Sequence, residues 1–389
     1  MGCRTRVAAN VYDPSREITT GRGNLSYTSI NLPRLGILAN KNIDLFFELL
    51  DQRIDLVIQQ LLDRFRIQGQ KKVLNFPFLM GQGVWIDSDK LGPEDEIGEI
   101  LKHGTLTIGF IGLAETLVAL IGQHHGQSEY AQNLGLEIIG HMRARMDAES
   151  EKRHLNFSLI ATPAEGLSGR FVKIDRERFG TIPGVTDREY YTNSFHIPVY
   201  FDINAFEKIR LEAPYHALTN GGHITYVELD GDPCQNVEAF EQLIRCMKEA
   251  GIGFLEETRT YDAAGNQVCD YMMYLCAKRD IFYSVSDPLH DLALSKASQS
   301  RIIELVQKYE NRAGFGGIYL VDEPHEESND YARVARIIHD YNHHITPHLN
   351  LLPIGGFPSW DEYVSEYCAI TGGTHRMEYL SYDNYCFMA

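Results

Sequence analysis

Over residues 42–68 apolar side chains recur at three- and four-residue steps (IDLFFELLDQRIDLVIQQLLDRFRIQ), which predicts one long amphipathic helix. Further helices are expected at 113–121 and 130–147, and short strands at 155–160, 192–199 and 223–229. The first thirty residues are turn-rich, with Asp-Pro, Thr-Thr-Gly and Gly-x-Gly-Asn signals. From about residue 235 the pattern alternates. Helices are predicted at 235–250, 267–279, 296–311, 330–342 and 360–371, interleaved with apolar strands at 253–257, 281–286, 317–321, 346–352 and 377–382. Such alternation predicts parallel βα units, and five of them suggest a (β/α) barrel or part of one.

The composition is that of a globular protein, because 44% hydrophobic and 23% charged residues fit neither a disordered nor a fibrous chain, and with the alternation above the fold class expected is α/β. With 53 acidic against 36 basic residues the net charge is -17, which argues against nucleic acid or an anionic membrane surface as partner. No apolar run approaches the roughly 20 residues of a membrane span, and the start MGCRTRVAAN carries no secretory signal. Cysteines stand at 3, 234, 246, 269, 276, 368 and 386 with no C-x-x-C pair, so neither a zinc ribbon nor a disulfide framework is expected. A cytoplasmic, reduced compartment fits best.

Several short segments could carry chemistry. Cys3 sits beside Arg4 and Arg6, which favour its thiolate, although a lone cysteine of this kind is more often a bland thiol. Thr162-Pro163-Ala164-Glu165-Gly166 reads as a helix start, with Thr162 as N-cap, Pro163 in the first turn and Glu165 at the third position. Its free N–H groups suit a substrate phosphate, or the segment simply caps a helix. Asn193, Ser194 and His196 read as satisfied strand residues. The Gly221-Gly222-His223 turn lets backbone approach a ligand, or is merely a turn. His124-His125, without a third ligand at useful spacing, reads as a solvated loop and not a metal site.

Six segments taken together resemble a known family: MGCRTRV, GRGNLSYTSINLPR, HGTLTIGFIGLAET, NFSLIATPAEGLSGRFVKIDRERFG, IPGVTDREYYTNSFHIPV and EAPYHALTNGGHITYVEL. They are similar to the catalytic barrel of class III, oxygen-sensitive, anaerobic ribonucleoside-triphosphate reductases, over about residues 1–250. The resemblance implies a glycyl-radical enzyme on a ten-stranded α/β barrel, with a finger loop whose cysteine becomes a thiyl radical and abstracts the 3′ hydrogen of the ribose. It assigns that radical to Cys3 and places Met1 and Thr5 beside it. Asn24 then faces the ribose hydroxyls, and Thr162, Ala164, Glu165 and Gly166 are carried as substrate-binding residues. The implied partners are a ribonucleoside triphosphate, a radical-activating enzyme and a second copy of the chain.

The chain also departs from that family. The family's catalytic chain begins hundreds of residues before the cysteine loop, so half the barrel and a nucleotide-binding regulatory domain are expected to be missing here. Neither the paired C-x-x-C zinc ribbon nor the radical-glycine loop occurs in these 389 residues, so no cofactor is expected within the chain. The resemblance is expected to stop at AGIGF, residues 250–254. The rest, 251–389, resembles part of a (β/α)8 glycoside hydrolase: GIYLVDEP ends a strand in Glu323, the implied general acid/base, and Asp287 and Asp383 end others. Acidic strand ends also cap helices, which is the plainer reading. The expected architecture is thus a partial ten-stranded reductase-type barrel, residues 1–250, joined to a partial parallel (β/α) barrel, residues 251–389. Ribonucleotide reduction is the leading function, with an isolated chain expected to be inactive. Glycoside hydrolysis and a non-catalytic chimeric remnant are the alternatives.

Overall fold

A computed structural model of the chain describes residues 5–226, 237–250, 254–256, 269–286, 295–322, 328–345, 347–351 and 381–382. The chain divides into two compact units, one made of Arg4–Asn75 and Trp85–Glu228, the other built mainly from Phe76–Val84 and Leu229–Ala389.

The first unit is organised on three parallel strands in the order β1 (Asn24–Asn31), β2 (Thr105–Ile111), β3 (Asn156–Ala161). Helix α1 (Leu32–Ala39) follows β1 directly, with Asn31 capping it through the Arg34 amide at 3.2 Å and a proline in its first turn. Helix α2 (Ile43–Gly69) is the long helix the periodicity predicts, capped by Asn42 and burying Phe46, Leu50, Ile54, Val57, Ile58 and Leu61 on one face. A short α3 (Gly98–Leu101) leads into β2; α4 (Leu113–Ile121) and α5 (Glu129–Arg153) separate β2 from β3. Then come α6 (Glu165–Phe179) and α7 (Ala205–His216).

All seven residues of β2 are buried, so both faces of the sheet are covered. One face carries Leu106, Ile108, Phe110, Phe157, Leu159 and Ala161 into a core shared with α2, α4 and α5. The other carries Thr105, Thr107, Gly109, Asn156, Ser158 and Ile160. Burying such hydroxyl and amide groups is costly unless they find partners, so this face demands a hydrogen-bond network.

Three expectations fail in this unit. Residues 192–199 form no strand, only a single bridge from Asn193 to Ile111, and Ser194 has a left-handed backbone with φ 44°. No strand runs through 223–226; residues 227–229 lie outside the described set. Thr162 is not the N-cap of α6. Ala164 is, with no side-chain cap bond, because the Thr162 hydroxyl is engaged by Ser29.

The second unit follows its predicted alternation: α7 is succeeded by α8 (Val237–Glu249), β4 (Phe254–Glu256), α9 (Cys269–Ala277), β5 (Phe282–Val285), α10 (Gln299–Tyr309), β6 (Phe315–Asp322), α11 (Ser328–Tyr341), β7 (Pro347–Leu351) and β8 (Ser381–Tyr382). The five strands pair in chain order, every pair parallel. Tyr283, Val285, Ile318 and Leu320 meet Met272, Met273, Ile302, Val306, Tyr331 and Val334 in its core. The helix expected at 360–371 lies outside the described residues.

Candidate functional site

The polar face of the first sheet is assembled by a bulge. Asn24 pairs with Thr105 while Ser26 pairs with Leu106, so two residues of β1 oppose one of β2. The extra residue switches the side-chain parity. Asn24 therefore joins the face of Thr107 and Ser158, while Leu25 packs against the apolar core. The Asn24 Nδ2 donates to Thr107 Oγ1, and Thr107 Oγ1 lies 2.7 Å from Ser158 Oγ, one hydrogen-bonded row across three strands. Two residues further along β2, Ser29 Oγ and Thr162 Oγ1 meet at 2.7 Å. Their bond passes over Gly109, where a Cβ would stand 2.0 Å from the Thr162 hydroxyl.

At the amino ends of the strands the segment after Cys3 is pinned in place. Val11 N–H donates to Asn156 Oδ1 at 2.7 Å, and Asn156 Nδ2 donates to Lys102 O at 2.9 Å. Arg22, 5% exposed, donates to the carbonyls of His103, Ile18 and Ala9. Burial lowers its pKa. Hydrogen bonds from Arg16 and Lys90 hold the Asp87 carboxyl well below the usual carboxylate range. Nearer the start, Arg6 N–H donates to Gly221 O at 2.8 Å. Gly221 and Gly222 in turn bond to Leu159 and Ala161 of β3, and a Cβ on Gly221 would lie 2.9 Å from Leu159 O. This turn brings backbone against the sheet edge.

At the carboxyl ends, the fully buried Asp175 accepts from Arg34 Nε at 2.6 Å, Asn31 Nδ2 at 2.7 Å and Tyr191 OH at 3.0 Å. Glu115 Oε1 accepts from Thr192 N and Oγ1; burial pushes its pKa up. Behind Thr162, α6 starts without a side-chain cap, and a Cβ added at Gly166 would meet nothing within 4 Å. His124 and His125 are buried, against expectation: His125 Nε2 meets Phe195 O at 2.7 Å, and burial lowers its pKa to about 3. His196 Nδ1 stands 3.2 Å from Glu212 Oε2. Among the described residues no group of three or more His, Cys, Asp or Glu could hold a metal ion.

Of the sequence-predicted site residues, Asn24 and Thr162 share the polar face, and Ala164, Glu165 and Gly166 form the start of α6. Thr5 is half-buried next to the Arg6 tether. Met1, Cys3, Asp287, Glu323 and Asp383 lie outside the described residues. Thr107, Ser158, Ser29, Gly109 and Arg22 were not singled out by sequence. The alternation Thr105, Thr107, Gly109 inside an apolar run was the available signal for a strand with one polar, buried face.

A model of the family described as "Anaerobic ribonucleoside-triphosphate reductase" matches residues 1–278. The chain belongs to that family. The match runs past the 250–254 segment where the resemblance was expected to stop. The anaerobic ribonucleoside-triphosphate reductase of Escherichia coli (strain K12) is 38% identical over 232 residues, covering 59% of this chain and 32% of that one. The enzyme of that name from Enterobacteria phage T4 is 38% identical over 247 residues, covering 62% and 39%. The chain thus spans about a third of the length of the curated relatives it matches. A solved anaerobic ribonucleotide reductase from Thermotoga maritima, with glycerol in its active site, aligns with a TM-score of 0.46 at 18% identity, covering 59% of this chain and 35% of that one. None of these reductase matches lends support to a glycoside hydrolase. Among the described residues no helix is long and apolar enough to cross a membrane.

Proposed function

We propose that the first unit is part of the catalytic barrel of a ribonucleoside-triphosphate reductase, and that the buried polar face of β1–β2–β3 receives the ribonucleotide. The observation that carries this reading is the convergence of two family segments, through Asn24 and Thr162, on one polar sheet face. Asn24 addresses the ribose hydroxyls. The phosphates lie at the start of α6, where the N–H groups of Ala164, Glu165 and Gly166 and the helix dipole favour an anion. The Thr107 and Ser29–Thr162 hydroxyl groups stand two β2 residues apart, about 7 Å along the strand, the scale of a sugar and its phosphate.

Cys3 carries the thiyl radical, with Met1 and Thr5 beside it. Its sulfur takes the 3′ hydrogen atom, forming an S–H bond and leaving the radical on carbon. The radical that first oxidises Cys3 comes from outside these residues, through a glycyl radical and its activating enzyme. The ten-stranded barrel, and a second copy of the chain as partner, belong to this proposal.

Equilibrium dialysis of tritiated CTP and ATP against the 389-residue chain tests it. Saturable binding is expected, weakened at least tenfold by Asn24→Ala or Thr162→Val and unchanged by Cys3→Ala, since the sulfur reacts but does not bind. No saturable binding at millimolar nucleotide would overturn the reading.

A further inference from the structure

The amide of Asn24 has a donor end and an acceptor end, and the one turned outward decides which substrate groups the site accepts. The bulge brings Asn24 within hydrogen-bond reach of Thr107. Thr107 is fully buried and Ser158 is 4% exposed, whereas Asn24 is half-buried. A hydroxyl owns one hydrogen. When Thr107 gives its hydrogen to Ser158 Oγ, at 2.7 Å, its oxygen is left to accept from Asn24 Nδ2. Among the described residues Asn24 Oδ1 takes no hydrogen bond.

We infer that Thr107, backed by Ser158, is a positioning residue that anchors the Asn24 amide nitrogen in the sheet and presents Oδ1 outward, so that the site accepts a hydrogen bond from a sugar hydroxyl. The inference rests on the proposed reductase reading for the identity of the sugar, a ribose in preference to a 2′-deoxyribose. It does not rest on it for the orientation of the amide. The row is buried at its Thr107–Ser158 end, so losing that bond would leave a hydroxyl unsatisfied, and this cost keeps the Thr107 oxygen in place beside the Asn24 amide nitrogen.

The test uses the full chain labelled with 15N-asparagine, the Asn24 side-chain amide signal being assigned by its loss in Asn24→Asp. In the wild type this NH2 pair is expected to be shifted from the free-amide position and slow to exchange with water. Thr107→Val keeps the shape and removes the hydroxyl; it should move the pair to the free position and speed exchange at least tenfold, and Thr107→Ser should restore both. A second arm compares dialysis of CTP and 2′-deoxy-CTP. The wild type is expected to prefer CTP about tenfold, a preference that Thr107→Val lowers to below twofold and Thr107→Ser restores, which a purely structural role would not do. If Thr107→Val does not fold, Ser158→Ala serves, since it frees the Thr107 hydrogen and should likewise speed exchange. An Asn24 signal unchanged in both variants overturns the inference. An amide signal that responds as expected in a chain that binds no CTP upholds the anchoring and overturns the reductase reading.

Discussion

Gly109→Ala adds one methyl group at the most crowded point of the polar face. The new Cβ would stand 2.0 Å from Thr162 Oγ1, 2.8 Å from Ser29 Oγ and 3.2 Å from Ile160 Cγ2, so something must move. Thr162 is 3% exposed and has no room in solvent to swing into, so the Ser29–Thr162 bond breaks. Overpacking of this kind costs about 1–3 kcal/mol, and a lost hydroxyl pair costs roughly 1 kcal/mol. Replacing glycine inside a strand returns about 0.5–1 kcal/mol of backbone entropy. The net expectation is a loss of about 2 kcal/mol. Trp85, buried with its indole N–H on Ile100 O at 2.9 Å, reports on the first unit once the other tryptophan is removed by Trp360→Phe. Urea unfolding followed by Trp85 fluorescence should show a lower midpoint at unchanged slope. In a Thr162→Ala background the obstructing oxygen is gone, and the same Gly109→Ala change should cost at least about 1 kcal/mol less. Equal costs in the two backgrounds, or none in either, would refute the reasoning.

Two further outcomes can be checked with the same fluorescence signal. Asp175→Asn strands the Arg34 guanidinium and removes an acceptor from Asn31 and Tyr191; with the Arg34 side chain 27% exposed, the loss should fall near the low end of the buried-pair range, about 3 kcal/mol, and an unchanged midpoint would contradict it. Acid should destabilise the unit, because burial pushes His124 and His223 down from 6.5 to about 4 and His125 to about 3. Between pH 6.5 and 4 the unfolded imidazoles bind protons that the folded ones refuse, so stability falls as pH falls and is flat above 6.5. A urea midpoint constant from pH 7.5 to 5 would rule this out, and His125→Gln should make the slope shallower.

What the chain's pattern reveals depends on how each element is covered. Helix α2 packs one face and exposes the other, so its period is plain, and the βα units of the second unit stand out for a related reason: short apolar strands separated by amphipathic helices. Strand β1 went unread because its bulge shifts the alternation midway and its approach is glycine-rich. Strand β2 hides its function because burial covers both faces, and only the spacing of Thr105, Thr107 and Gly109 betrays a polar one. Residues 192–199 have strand-like composition, but Thr192 is held by the Glu115 carboxyl and Ser194 turns left-handed, so tertiary bonds outweigh propensity. Thr162 reads as a cap until its distant partner is known; the hydroxyl is claimed by Ser29, 133 residues away.

The tether between Arg6 and Gly221 also orders events in time. The Arg6 amide leaves the ribosome well before its partner, because the carbonyl that fixes it is made roughly 200 residues later. At about 5–20 residues per second that delay is on the order of 10–40 s. Throughout that interval Arg6 lacks this bond, although β1, β2 and β3 precede Gly221 in the chain and can already pair. The Arg6 backbone is thus made early and fastened late, so a nascent chain holds a paired sheet before the turn at Gly221 closes against its edge.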